Sequence, residues 1–169
     1  MLADQEGQAM SEETLRKQLY HCFANRAHIY HLIYTQLRHE IGVERAAELM
    51  SRAIYQRGAQ KGTAYAGFAP RDLEGLKNAF VGSLPDDAAM FGPEVVRCDA
   101  DGLDIKFHRC PLKQAWLDAR LGQEEVARLC RIAAQVDQGM FEAAGFRFHA
   151  DTYQPSAEGC CFLHVRPGA

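Results

Sequence analysis

Cysteines between residues 103 and 165 are the side chains with the clearest capacity for chemistry in this chain. Cys110, Cys130 and Cys160 lie there together with Asp137, and these four are the candidate catalytic residues. A thiolate is a strong nucleophile, and a carboxylate can act as a general base. The set therefore predicts a site in which a nucleophilic thiol lies beside an acid–base or anchoring group. The alternative for each thiol is packing, because free cysteines are often buried.

Cys110 is the first candidate nucleophile because of its predicted surroundings. A strand pattern ends at this cysteine, and Pro111, a residue suited to the first turn of a helix, follows it. The N–H groups and the positive dipole end of that helix would stabilise a thiolate. Arg109, the preceding residue, would add positive charge. The other interpretation is a buried cysteine at a strand end.

The remaining candidates differ in their predicted orientation. Cys160 and Cys161 are neighbours in a predicted strand, where successive side chains point to opposite faces. Cys161 is predicted to face the core, and Cys160 is left as the candidate. Cys130 and Asp137 are seven residues apart in a predicted helix, which places them on one face. A carboxylate in that apolar stripe is costly unless it is paired, so Asp137 is either an acid–base or anchoring group or lies at the solvent edge.

No cofactor is predicted. Cys110, Cys130, Cys160 and a histidine could form a tetrahedral zinc set, but no Cys-x-x-Cys or His-Glu-x-x-His spacing supports it. Zinc at the three thiols is kept as the alternative. His149, two residues before Asp151 in a predicted strand, points either into a shared site or to solvent.

The elements that must position these residues predict an α+β fold. Helical periodicity covers residues 11–81, with Asn25 as a predicted break in the first helix. Two-residue alternation predicts strands at 94–99, 103–109, 146–153 and 160–166, with helices at 112–121 and 123–144 between them. We expect N-terminal helices packed on a roughly four-stranded antiparallel sheet. Residues 1–169 are predicted to form one domain, with a flexible tail at 1–10, a helical part at 11–81 and a mixed part at 94–166.

Composition and charge exclude several classes. The chain is 47% hydrophobic with a formal net charge of -3, and its Lys and Arg residues are scattered, so nothing favours a nucleic-acid or anionic-membrane partner, both of which require a basic face. It has neither a signal-peptide pattern nor an apolar run of membrane-span length. These features predict a cytoplasmic protein with reduced cysteines. The first helix, which carries histidines and tyrosines, is a candidate homodimer face.

The C-terminal half of the chain resembles the L-2-amino-thiazoline-4-carboxylic acid hydrolase-like family in three features. The family has a strand ending in a cysteine, matched by Phe107 to Cys110, and a helix with a cysteine followed by an aspartate, matched by Cys130 and Asp137. It also has a glycine, a short gap and Cys-x-Phe, matched from Gly159 to Phe162. This chain departs from the pattern with Cys161 at a position where members commonly have aspartate.

The resemblance implies hydrolytic opening of a 2-aminothiazoline ring that bears a carboxylate, giving N-carbamoyl-L-cysteine on a cysteine-producing route. We interpret this as hydrolysis of a C–N bond at an amidine-like carbon. Such a reaction needs a nucleophile, a base and a cation for the carboxylate. From the residue types, Cys110 is the expected nucleophile and Asp137 or a histidine the base. The expected substrate-binding residues are Arg57, Arg109, Tyr55, His149 and Arg147.

Two glycines in the second helix bear on how the helical half packs. Gly58 and Gly62 are four residues apart and predict a close approach of another segment to that helix. Residues 55–65 are expected to form a wall of the pocket.

The alternative function is a non-catalytic small-molecule or zinc-binding sensor. It rests on a resemblance of the cysteine pattern and element order to vinyl-reductase-type ligand-binding domains.

Overall fold

The computed structural model describes residues 11–155 and 159–169. The predicted tail at 1–10 and the middle of the predicted turn at 154–159 lie outside the described residues. The described elements, in chain order, are α1 (Glu12–Ile41), α2 (Val43–Gly62), a 3-10 helix (Thr63–Phe68), α3 (Leu73–Gly82), β1 (Pro93–Cys98), β2 (Leu103–Phe107), α4 (Pro111–Asp118), α5 (Gln123–Ala133), α6 (Gln135–Ala143), β3 (Arg147–Asp151) and β4 (Phe162–Arg166). The α+β class is confirmed.

Helix α1 is one continuous helix, so the predicted break at Asn25 is wrong. The helix begins after Ser11, whose hydroxyl accepts a hydrogen bond from the Thr14 N–H at 3.2 Å. It continues through Asn25 because the neighbouring helical turns supply the backbone bonds, which a single weak helix former does not disrupt. It ends at Gly42, which has a φ of 83°.

The four strands form one antiparallel sheet in the order β1-β2-β4-β3. One face of the two central strands forms the core, where Ile105, Leu163 and Val165 are completely buried. β2 ends at Phe107, and a short link leads from it to the start of α4 at Pro111. The alternation of apolar residues in the sequence therefore reports the covered face of the sheet correctly.

The predicted helix at 123–144 is two helices. α5 ends at Ala133 and α6 begins at Gln135, with Ala134 between them at φ -64° and ψ -13°. The Asp137 N–H bonds to the Ala134 carbonyl at 3.1 Å, a tighter turn than an α-helix makes. Because Ala134 keeps near-helical dihedrals, the apolar spacing continues across the break, and periodicity could not reveal it. α3 begins at Leu73, and the Asp72 carboxylate caps it by accepting a hydrogen bond from the Gly75 N–H at 2.8 Å.

Helices α2 and α6 pack backbone against backbone through glycines. A Cβ atom built on Gly58 would lie 2.0 Å from the Val136 carbonyl oxygen, and one on Gly62 would lie 2.4 Å from the Met140 carbonyl oxygen. The predicted close approach of another segment to these two glycines is confirmed, and that segment is α6. This contact fixes the start of α6, and with it Asp137, against α2.

Buried side chains form two hydrophobic clusters. The first joins α1, α2, α4 and α5 and is centred on Trp116, which is fully buried and donates from its indole N–H to the Ala27 carbonyl at 2.8 Å. The second joins α3, α6 and the sheet and includes Phe80 and Phe141. Within residues 11–155 and 159–169, no helix combines the length and apolar character needed to cross a lipid bilayer.

Candidate functional site

A cavity of about 300 Å³ lies where the two hydrophobic clusters meet. Its walls come from the helices α1 to α6, the 3-10 helix, the loop between α3 and β1, the end of β2 and the segment before β4. Its lining comprises Phe23, Arg26, Tyr30, Ile54, Arg57, Lys61, Tyr65, Phe80, Ser83, Leu84, Pro85, Phe91, Phe107, Cys110, Leu112, Trp116, Cys130, Ala133, Ala134, Val136, Asp137, Met140, Cys160 and Cys161. All four catalytic candidates therefore line one cavity.

The thiols form a cluster at the start of α4. Cys110 is the residue that precedes the helix, in extended conformation, and its thiol contacts that of Cys160. The Sγ atoms of Cys160 and Cys161 are 3.3 Å apart. The prediction that Cys160 and Cys161 face opposite ways is wrong, because β4 begins only at Phe162 and both residues belong to an irregular segment.

Backbone pairing holds that irregular segment beside the end of β2. The Cys160 N–H donates to the Phe107 carbonyl at 3.0 Å, and the Phe107 N–H donates to the Cys161 carbonyl at 2.8 Å. The Lys113 ammonium group donates to the Gly159 carbonyl at 2.7 Å, which ties α4 to the same segment. The end of β2, the start of α4 and the start of β4 are thus fixed together around the thiols.

Three groups favour the thiolate form of Cys110. The hydrogen bond from the Cys160 thiol lowers the pKa of Cys110 most. The backbone N–H groups of Lys113 and Leu112 and the charge of Lys113 lower it further, whereas burial raises it. Together they lower the pKa of Cys110 from 9.0 to about 7. The sequence argument from the helix N-terminus identified the backbone contribution, but it did not identify the neighbouring thiol, which is the larger cause.

The two other candidate thiols remain protonated. Hydrogen bonds with Cys110 and Cys161, together with burial, raise the pKa of Cys160 well above its ordinary value. Burial is the main cause that raises the pKa of Cys130, with the nearby Cys110 and Cys161 adding to it. Cys130 is only 4% exposed. The cluster therefore contains one activated thiol, Cys110, with a hydrogen-bond donor beside it.

Asp137 faces the cavity without a hydrogen-bonding partner for its carboxyl group among the described residues. Burial raises its pKa from 3.8 to about 7, and the positive charge of Lys61 opposes that rise only in part. The carboxyl group can therefore both accept and donate a proton near neutral pH, which is the property required of a general acid–base group.

Replacing Asp137 with asparagine is expected to change how stability depends on pH. The folded pKa lies above the unfolded value, so the stabilising effect of the proton is complete below about pH 4 and is lost as the pH rises through about 7. In Asp137→Asn this dependence should disappear, and the variant should be more stable than the parent at pH 8. Urea unfolding at pH 4 to 8 measures this, and an unchanged pH dependence would show that the carboxyl titrates normally.

Three cationic side chains, Arg26, Arg57 and Lys61, line the cavity from its exposed side. Arg57 was an expected substrate-binding residue, and the structure places it at the cavity. The sequence argument missed Arg26 and Lys61. Lys61 lies four residues after Arg57 on α2 and therefore shares its face, a signal that could have identified it. Arg26 is on α1, one turn before Tyr30, and only the packing of α1 brings it to the site.

Two other expected substrate-binding residues lie outside the lining. The Tyr55 hydroxyl donates to the Glu142 carboxylate at 2.8 Å, which joins α2 to α6 on the protein surface. Arg109 is exposed, and its guanidinium group packs against Gly92. Arg109 precedes Cys110 in the chain, but the extended backbone at this point directs the two side chains apart.

The remaining two expected binding residues lie on β3. Arg147 donates to the Pro167 carbonyl at 3.0 Å, and neither it nor His149 lines the cavity. His149 lies 3.0 Å from Asp151, and both line an open groove between β3 and the junction of α5 with α6. Asp151 also contacts His164 at 3.2 Å. The strand alternation that suggested a shared site for His149 and Asp151 instead places both on the exposed sheet face.

Zinc bound by the three thiols was the alternative to catalysis. In the part of the chain that the structure describes, no three or more His, Cys, Asp or Glu side chains converge on a point that could hold a metal ion. The zinc set of Cys110, Cys130 and Cys160 therefore lacks the required geometry, although all three residues line the same cavity.

The fold and the site define an α+β protein in which an activated thiol and a carboxyl group of raised pKa share an apolar cavity with cations at its exposed side. The family model described as L-2-amino-thiazoline-4-carboxylic acid hydrolase matches residues 22–165, so the chain belongs to this family. No curated protein matches the chain.

Eleven chains of solved structures match this fold. One is trafficking protein particle complex subunit 3 from Naegleria fowleri, in a crystal structure with covalently bound palmitic acid. It has a TM-score of 0.54 and 14% sequence identity, and the match covers 87% of this chain and 95% of that one. At this identity the similarity establishes a shared fold.

Proposed function

We propose that this protein hydrolyses 2-amino-thiazoline-4-carboxylate to N-carbamoyl-L-cysteine in the thiol-lined cavity. The observation that carries the proposal is the presence of Cys110 and Asp137 in one cavity, each with a pKa of about 7. A nucleophile and an acid–base group that both titrate near neutral pH are what hydrolysis of an amidine-like carbon requires. Membership of the hydrolase family supports this chemistry.

The cations supply recognition of the substrate carboxylate. Arg57 and Lys61 are adjacent on one face of α2, and Arg26 approaches from α1. Charge-assisted hydrogen bonds from such side chains hold a carboxylate strongly. With the carboxylate held at the exposed side, the ring extends inward, towards the thiols and the apolar lining.

The products fix which bond breaks. N-carbamoyl-L-cysteine keeps both nitrogens on its carbonyl carbon and has a free thiol, so the bond that breaks is the ring C–S bond. This corrects the C–N cleavage inferred from the sequence. In the proposed first step the Cys110 thiolate forms a bond to C2 of the ring, the C2–S bond breaks, and the leaving sulfur takes a proton from protonated Asp137.

Water completes the reaction in the second step. The intermediate carries an isothiourea linkage between Cys110 and the former ring carbon. Asp137, now ionised, takes a proton from water as the oxygen forms a bond to that carbon. The C–S bond to Cys110 then breaks, and the urea-type product leaves with the thiolate regenerated. The sum is one water consumed per ring opened, with no oxidant or metal involved.

Incubation of the purified protein with 2-amino-thiazoline-4-carboxylate tests the proposal. We expect one free thiol for each ring consumed, measured with a chromogenic disulfide, and N-carbamoyl-L-cysteine identified by mass spectrometry. Rates should depend on pH through groups titrating near 7. Folded protein that binds the thiazoline without releasing thiol would contradict the hydrolase assignment and support the sensor alternative.

Neutralising a cavity cation is expected to weaken substrate binding. In Arg57→Gln or Lys61→Gln the KM should rise about tenfold with little change in kcat, because a charge-assisted hydrogen bond contributes about 1.5–3 kcal/mol. Arg52→Gln is the matched control, since Arg52 lies on the same helix, is exposed and is absent from the cavity lining. An equal KM for all three variants would show that the carboxylate binds elsewhere.

A second candidate is non-catalytic binding of an acyl group at Cys110. The observation that favours it is the aromatic lining around the thiols, including Phe80, Phe107 and Trp116. A structure of the same fold holds palmitic acid covalently. The cavity cations and Asp137 favour the hydrolase over this candidate, because an acyl chain needs neither. Intact-mass analysis of the freshly purified protein distinguishes them, since a thioester would add the mass of the chain.

A further inference from the structure

The thiol cluster contains more sulfur than the proposed hydrolysis uses. Cys110 alone is required as a nucleophile, but the thiol of Cys160 contacts it directly and that of Cys161 lies 3.3 Å from Cys160. All three line the same cavity. A nucleophilic thiol with a second thiol in contact is the arrangement in which oxidation stops at a disulfide.

We propose that Cys110 and Cys160 form a reversible oxidative switch, in which a hydroperoxide oxidises Cys110 and Cys160 then closes a Cys110–Cys160 disulfide. This modification is independent of the hydrolase activity, since it requires only the two thiols and an oxidant. It would, however, remove the proposed nucleophile, so the oxidised protein is an inactive form that a dithiol restores.

The steps balance with a hydroperoxide as the only oxidant. The Cys110 thiolate forms an S–O bond as the peroxide O–O bond breaks, which leaves a sulfenic acid and an alkoxide or hydroxide that takes a proton from solvent. The Cys160 sulfur then forms an S–S bond to Cys110 while the new S–O bond breaks. The departing hydroxide takes the Cys160 proton and leaves as water.

The environment assigns different roles to the two thiols. Cys110 lies at the start of α4 and is partly exposed to the cavity, so it is the thiol that meets the oxidant. Cys160 is 8% exposed and keeps its proton while Cys110 is anionic beside it. Oxidation of Cys110 removes the thiolate that accepts a hydrogen bond from Cys160, and this hydrogen bond is the largest cause that raises the pKa of Cys160.

The neighbouring thiols are poorer partners for Cys110. A Cys160–Cys161 disulfide would join adjacent residues and would require a strained ring that includes their peptide bond. Cys130 is almost completely buried, and burial keeps it protonated. Cys22 is exposed on α1, is absent from the cavity lining and provides an internal standard for unselective oxidation.

Treatment of the purified protein with hydrogen peroxide, followed by alkylation and peptide mass mapping, tests the switch. We expect a disulfide-linked peptide pair containing Cys110 and Cys160, lost on treatment with a dithiol. In Cys160→Ser, Cys110 should progress to sulfinic acid, which a dithiol does not reverse. In Cys161→Ser, the Cys110–Cys160 pair should form as in the parent.

Two results would overturn the proposal. One is a Cys160–Cys161 disulfide as the main product in the parent protein. The other is accumulation of sulfinic acid at Cys110 in the parent at the same rate as in Cys160→Ser. Both readouts are covalent and require no turnover, so a protein that lacks hydrolase activity can still form the disulfide. A negative result for the disulfide therefore leaves the proposed hydrolase function standing, and a negative result for hydrolysis leaves the switch standing.

Discussion

Replacing Cys110 with serine is expected to lower kcat for thiazoline opening by at least about a thousandfold. A serine hydroxyl at the start of α4 would meet the same backbone N–H groups, but its ordinary acidity is far too weak for those groups to ionise it at neutral pH. The carbon–nucleophile bond would then not form. KM should change little, because the cations that hold the carboxylate remain. Steady-state kinetics with thiol release as the readout measures both constants.

The matched control is Cys22→Ser, which changes the same atom at an exposed position outside the cavity. It should retain the parent rate. A Cys110→Ser protein that keeps most of the activity would show that water attacks the ring directly. Asp137 would then be the base for that water, and Asp137→Asn would carry the large loss instead. Mass spectrometry of the parent quenched during turnover separates the two routes, since only the covalent route adds substrate mass to Cys110.

Replacing Gly58 with alanine is expected to destabilise the fold by at least about 2 kcal/mol. Alanine is the better helix former by about 1 kcal/mol, so propensity alone predicts a gain. The added Cβ would, however, lie 2.0 Å from the Val136 carbonyl oxygen and 2.8 Å from its carbonyl carbon. These are backbone atoms that cannot rotate away, so α2 and α6 must separate, and the cost of overpacking exceeds the gain. Urea unfolding gives the difference in free energy.

Gly67→Ala is the control for this substitution. Gly67 lies in the 3-10 helix, and an added Cβ would have no heavy atom within 4 Å, so its change in stability should stay below about 1 kcal/mol. If Gly58→Ala were as stable as the parent, the close contact of α2 with α6 would have to relax at little cost. Asp137 lies in the first turn of α6, next to the same contact. The contribution of Asp137 to the pH dependence of the unfolding free energy should therefore weaken in Gly58→Ala.

The architecture was predictable from sequence wherever periodicity reports burial. The four strands, their boundaries to within a few residues and the glycine-mediated contact of α2 all follow from local patterns. The break at Ala134 did not, because a single residue with near-helical dihedrals leaves the apolar spacing unchanged. The orientation of Cys160 and Cys161 was also missed, since alternation holds only inside a strand, and β4 begins after them.

The sequence identified the candidate catalytic residues of the cavity, but only one of the cationic residues that line it. Cys110, Cys130, Asp137 and Cys160 were identified by residue type and by family resemblance, and the structure brings them together. Arg109, Arg147, Tyr55 and His149 were chosen for nearness in sequence or for strand alternation, and none lines the cavity. Arg26 comes from α1, more than 80 residues before Cys110 in the chain. Only tertiary packing determines such a contact.

The cavity between the two hydrophobic clusters also links unfolding to ligand binding. A molecule that binds in this cavity of about 300 Å³ binds the folded chain and not the unfolded one, so it raises the free energy of unfolding. The rise grows with the ligand concentration relative to its Kd. Urea unfolding, followed by tryptophan fluorescence from Trp116, which lines the cavity, would thus report occupancy for any ligand, whether or not it reacts.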